Sequence, residues 1–186
     1  MACQPCFLIM KAKDSYEDRL KMADMHDDVL QRIDLAIANK HSIEACWLCY
    51  SCFESRITRT LEKVSECCSD RKCYQNHKVG IKTRIDCLKR LNKAKYCGTE
   101  SFDNQLLGEI TKWCKERNTL VHALVTLNNY CGMDDKFLQL ATKGRPLVTK
   151  LYQQTTAFRN KYYAQTELTS FPEKAHNYCR LLKKNK

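Results

Sequence analysis

Between residues 14 and 39 the apolar side chains Leu20, Met22, Met25, Val29, Leu30, Ile33, Ala36 and Ile37 recur at spacings of three and four. That period predicts an amphipathic helix. A second run of the same period, with Ala45, Trp47, Leu48, Phe53, Ile57, Leu61 and Val64, starts behind Ser42 and ends near residues 69–70. Residues 69–78 carry little apolar weight and read as a polar loop. A third helix is predicted over about residues 81–96, stopped by Gly98. Thr99 or Ser101 then stands where a cap is needed for a fourth helix, which reaches about residue 129 on Leu106, Leu107, Ile110, Trp113, Val121, Leu124 and Leu127. Gly132 opens a turn, and a fifth helix follows over about residues 134–166. It is expected to be interrupted or kinked at Gly144-Arg145-Pro146, because proline lacks the amide donor. A short basic helix restarts after Pro172 and frays toward Lys186.

The expected fold is all-α: a bundle of five or six mostly antiparallel helices with short connections. An N-terminal segment (1–13) precedes the bundle (14–168), and a basic C-terminal helix or tail (169–186) follows it. Three prolines and five glycines in 186 residues support this, since turn-rich sandwiches and barrels need more breakers. No apolar run approaches the ~20 residues that span a bilayer, and residues 1–10 lack the basic start of a signal peptide. A cytoplasmic protein with no membrane partner is expected.

The charge is uneven. Residues 1–40 carry a net −1, 41–100 a net +5, 101–144 zero and 145–186 a net +7, within a total of +11. A concentrated basic excess suits a polyanion, because each neutralised phosphate releases counterions.

Thirteen cysteines form an odd set with no sign of secretion, which argues for reduced thiols rather than a disulfide framework. Cys46, Cys49 and Cys52 recur every third residue, as small core side chains do on a helix. Cys3 and Cys6 form an isolated pair, and Cys67, Cys68, Cys73 and His77 are irregularly spaced. Neither set has the two matched knuckles of a structural zinc site, so no metal and no cofactor is assigned.

The informative stretch lies in the fourth helix, Trp113-Cys-Lys-Glu-Arg117-Asn118-Thr-Leu-Val-His122. Helical neighbours of Arg117 are Trp113, Cys114, Leu120 and Val121, which sets one guanidinium in the apolar stripe. A charge placed there requires compensation from a buried carboxylate, a partner subunit or an anion. Asn118 and His122 share a polar strip, and His122 lies about 140° around the helix from Arg117. Farther along, Arg159, Lys161, Tyr162 and Tyr163 combine cations and rings, as an RNA-stacking surface would, although the same spacing also fits a half-buried helix face.

An arginine, a polar residue next to it and a histidine after a four-to-six-residue gap, late on a long helix of an α-bundle, resembles the HEPN superfamily. Arg19…His26 and Arg71…His77 meet the loose spacing, but Leu20 and Lys72 stand where the polar residue belongs, whereas Arg117 is followed by Asn118. The helix layout extends the likeness over about residues 15–168. The resemblance implies a metal-independent endoribonuclease of toxin or antiviral-defence type, in which the ribose 2′-OH attacks the adjacent phosphate. It would leave a 2′,3′-cyclic phosphate and a 5′-OH. Arg117 would clamp the phosphate, Asn118 would orient His122 or the phosphate, and His122 would act as acid or base, since histidine titrates near neutrality. One histidine cannot easily fill both roles, so the resemblance further implies a homodimer with both Arg117–His122 sets lining one cleft. Its expected partners are RNA and a nucleotidyltransferase-type antitoxin. The alternative is a HEPN-like helical interaction or RNA-binding module without catalysis.

Overall fold

The computed structural model describes residues 16–66, 79–126 and 132–168, and these are helical with no strand among them. The helices are α1 (Tyr16–Ala38), α2 (Ser42–Glu66), α3 (Ile81–Lys93), α4 (Asn104–Thr126) and α5 (Met133–Leu168), with a 3-10 turn at Thr99–Ser101 before α4. The polar loop read over residues 69–78 and the basic helix after Pro172 lie outside the described residues, as do the Cys3–Cys6 and Cys67–His77 sets.

Helix α1 stops where the period predicts and α3 stops earlier than expected, yet both ends close in the same way. The amide of His41 donates to the Ala36 carbonyl and that of Lys40 to Ile37, closing a Schellman turn with Lys40 left-handed at φ 58°. The end of α3 repeats this, with Tyr96 donating to Leu91, Lys95 to Asn92, and Lys95 at φ 52°. A lysine thus ends α3 at Lys93, and Gly98 (φ 78°) instead opens the 3-10 turn. There a side chain would meet the Lys161 Cβ at 3.2 Å, so the glycine lets this turn lie on α5. The cap of α4 is Asp103, whose Oδ1 accepts the Gln105 amide at 2.8 Å, rather than Thr99 or Ser101.

The third difference is α5. Of the interruption or kink expected at Gly144-Arg145-Pro146, the interruption does not occur, and the helix continues through the proline. Pro146 is exposed, so water can reach the carbonyl that the missing amide leaves free. Arg145 holds the stretch in place, with Nε and Nη2 donating to the two Asp34 carboxylate oxygens at 2.7 and 2.8 Å, which pins α5 to α1.

Helix α2 is the centre of the bundle and contacts all four others. Its pairings with α5 rise together: Ser42 with Asp134, Cys46 with Phe137, Cys49 with Ala141, Arg56 with Tyr152. The two helices are therefore parallel. Cysteine explains how closely they lie, because the Cys46 thiol donates to the Phe137 carbonyl at 3.1 Å and the Cys49 thiol points at that of Ala141. Helix α4 is antiparallel to both. Trp113 meets Phe53 edge-on at 5.2 Å and donates from Nε1 to the Leu140 carbonyl, while Arg117 lies over Tyr50. Asn92 meets Asn104 and Lys89 approaches Gly108, so α3 runs antiparallel to α4 and parallel to α2. Sequential neighbours are thus antiparallel except α2 and α3, which are joined by the longest connection.

The core is continuous, from Ile33 and Ala36 on α1 through Phe53, Ile57, Leu88, Leu107 and Ile110 to Phe137, Leu151 and Phe158. Cys46, Cys49 and Cys52 lie within it.

Candidate functional site

The α3–α4 register locates the site. At 1.5 Å per residue, the first turn of α3 lies beside about residue 116 of α4, so the last ten or so residues of α4 run on past it. From Lys115 to Thr126 no side chain of α4 is fully buried, although Leu120, Val121, Ala123, Leu124 and Val125 are apolar and Val125 is 80% exposed. Arg117, Asn118 and His122 all belong to this projecting part.

Arg117 sits at the middle of the core-facing side of α4, one turn beyond Trp113 and Cys114, and is half-buried. Within the chain, two aromatic rings face its charge. Its Cζ lies 4.6 Å from the centre of the Tyr50 ring and 5.9 Å from that of Trp47, both on α2. Ring faces carry negative potential, so they offset a cation without a carboxylate. Its Nη1 donates to Asn118 Oδ1 at 3.2 Å, which draws the guanidinium toward the flank of α4 that carries Asn118 and His122. The opposite flank belongs to α5. There Glu116, Thr119 and Leu120 face Lys136, Gln139 and Lys143 across a groove of about 270 Å³.

Both rings belong to α2. Trp47 and Tyr50 lie three apart on α2, beside the stripe of Cys46, Cys49 and Phe53 that points into the core. Glu54, one turn on from Tyr50, accepts from Arg84 Nη1 at 3.3 Å, and the same nitrogen reaches Thr58 Oγ1 at 2.6 Å. Burial raises the Tyr50 phenol above its ordinary value, helped by Glu54 and Cys114 and opposed by Arg117 and Arg84. It stays a neutral donor at physiological pH. Burial likewise pushes the Cys46 and Cys114 thiols up to about 12, with Arg117 opposing the rise in both. These thiols are packing groups rather than nucleophiles.

Arg117 and Asn118 are therefore brought together. His122 is exposed one turn farther on, and its backbone carbonyl accepts from Thr126 Oγ1 at 2.8 Å. No side-chain hydrogen bond or ion pair joins it to Arg117 within the chain.

The second set, Arg159, Lys161, Tyr162 and Tyr163, lies along α5. Tyr162 is only 6% exposed and packs on Phe158 at 5.7 Å, because the i, i+4 spacing carries both rings into the core. Lys161 pairs with Glu100 at 3.5 Å, and Tyr163 is half-buried against Tyr162, with Lys63 Nζ 5.9 Å from its ring. Arg159 is half-buried as well. Of the two readings of Arg159, Lys161, Tyr162 and Tyr163, these positions fit the half-buried face of α5, with Lys161 exposed. Among the described residues no group of three or more His, Cys, Asp or Glu could hold a metal ion. No described helix is long and apolar enough to cross a membrane.

Sequence reading missed Trp47 and Tyr50 as companions of Arg117. The available signal was their position one residue beyond Cys46 and Cys49, off the core stripe, where two large rings need another partner. Compared with protein-family models, curated proteins and solved structures, the chain matches none.

Proposed function

We propose that the chain is a metal-independent endoribonuclease whose working residues are Arg117, Asn118 and His122, completed by a second copy of the chain. The observation that carries this reading is the guanidinium of Arg117. It is held by two ring faces and by Asn118 on the flank of α4 that also carries His122, where an RNA phosphate can reach it.

A bound phosphodiester would accept hydrogen bonds from Arg117, and charge developing on its oxygens would be offset by the same group. His122 would take the 2′-OH proton or protonate the departing 5′-oxygen, and its counterpart in the second copy would perform the other step. The apolar, incompletely buried end of α4 supports a partner surface at this place. RNA as substrate agrees with the net charge of +11.

The gap between Arg117 and His122 within one chain favours a second reading, a HEPN-like interaction or RNA-binding module without catalysis. The two are separated by replacing His122. His122→Ala is expected to lower RNA cleavage roughly 100-fold or more in excess chelator, with RNA binding retained. Full cleavage by this variant would refute the enzyme reading, and absence of cleavage by the native protein on RNA that it binds would favour the module.

A further inference from the structure

Trp47 is the largest side chain that this structure leaves open to solvent. The residue is 60% exposed although it lies on the helix at the centre of the bundle. Core packing does not account for it. Cys46 and Cys49 carry the buried stripe, and the second tryptophan, Trp113, is 3% exposed with its indole N–H satisfied at Leu140. What distinguishes Trp47 is its neighbour, since the Arg117 guanidinium lies 5.9 Å from the ring centre. A cation and an open π surface side by side are the two elements that hold single-stranded nucleic acid, one on the backbone and one on a base.

From this juxtaposition we infer that Trp47 is a base-stacking platform, seating a nucleobase of the bound RNA next to the phosphate held by Arg117. The inference rests on the RNA reading given above and adds to it the residue that positions the strand. Tyr50 does not share the role. Its ring lies under the guanidinium at 4.6 Å and is half-buried, so it supports Arg117 from behind. Ile43, one turn before Trp47 on α2, is also exposed and extends the apolar surface along which a base can slide in. Stacking tolerates any base, so the platform sets affinity and register more than sequence preference.

The two tryptophans supply the readout, because only Trp47 is open to a ligand. The test is a fluorescence titration of the whole chain with a 2′-O-methyl oligoribonucleotide, which no 2′-OH mechanism can cut, alongside inorganic polyphosphate, which has charge and no bases. The oligonucleotide is expected to quench the exposed indole, polyphosphate to compete for binding without quenching, and Trp47→Phe to abolish the signal. Trp47→Leu, which stays apolar and loses the π face, is expected to weaken oligonucleotide binding roughly tenfold and leave polyphosphate binding unchanged. For cleavable RNA the same change should act on KM more than on kcat.

Equal quenching by polyphosphate, an oligonucleotide that binds without quenching or does not bind, or unaltered affinity in Trp47→Leu would overturn the inference. So would emission that follows protein concentration instead of oligonucleotide, which would assign the ring to a protein–protein contact. Quenching by an oligonucleotide in a protein that cuts no RNA would leave the platform standing and refute only the nuclease.

Discussion

Gly144 shows how far a single atom can matter in this bundle. A Cβ built there would lie 2.7 Å from Trp113 Nε1 and 2.9 Å from its Cε2, closer than real atoms pack. The indole cannot yield without losing its hydrogen bond to the Leu140 carbonyl and its edge contact with Phe53. Gly144→Ala is therefore expected to destabilise the fold by about 1–3 kcal/mol despite the higher helix propensity of alanine. Urea denaturation checks this, and a gain in stability would show that the indole has room to shift.

The buried thiols make a second residue-scale prediction, with a definite sign. Burial raises Cys46 and Cys114 from an ordinary value of 9.0 to about 12, with Arg117 opposing, so the folded state keeps these protons longer than the unfolded chain does. The stability this confers is complete below about pH 9 and is lost as pH rises from there toward 12, by up to about 1.4 kcal/mol per pH unit per thiol. Urea midpoints at about pH 7 and about pH 10 should fall with pH, and less steeply in Cys46→Ala. A midpoint independent of pH over this range would contradict the burial.

Among the elements, α3 and α5 are where reading the sequence reached its limit. Helix existence and faces were legible, because the three-and-four spacing of Ile33, Ala36, Phe53, Ile57, Leu107 and Ile110 records directly which side is buried. The end of α3 was not, because Lys95 takes a left-handed turn that composition assigns to glycine. That conformation costs a lysine about 1–2 kcal/mol, and glycine adopts it freely. Lys95→Gly is thus expected to raise stability by about 0.5–1 kcal/mol, seen as a higher thermal midpoint. A lower midpoint would mean that the lysine side chain makes a contact worth more than the strain. Pro146 misled for the opposite reason: propensity argues for a break, but the Arg145–Asp34 pair and an exposed carbonyl let α5 continue.

At the scale of the molecule, α2 contacts every other described helix, so a site built on it borrows rigidity from the core. The candidate site was half legible. Arg117-Asn118 and His122 stand out in the sequence, whereas the ring contacts from Trp47 and Tyr50 depend on the antiparallel register of α2 and α4, which no local pattern encodes. At this scale the proposed second copy is expected to cover the exposed end of α4. Light scattering at tens of micromolar should give twice the chain mass, and Val125→Glu should reduce it to one, since a charge placed in an apolar contact is costly. A monomer under these conditions would contradict the shared site.

The account turns on which oxygen attacks the phosphate, and the termini of the cleaved RNA report that directly. With the native chain in excess chelator, the products are expected to carry a 2′,3′-cyclic phosphate and a 5′-OH, and a single 2′-O-methyl group at the scissile ribose should abolish the cut. Products bearing a 5′-phosphate, or equal cutting of the 2′-blocked strand, would contradict attack by the 2′-OH and with it the roles given to Arg117, Asn118 and His122.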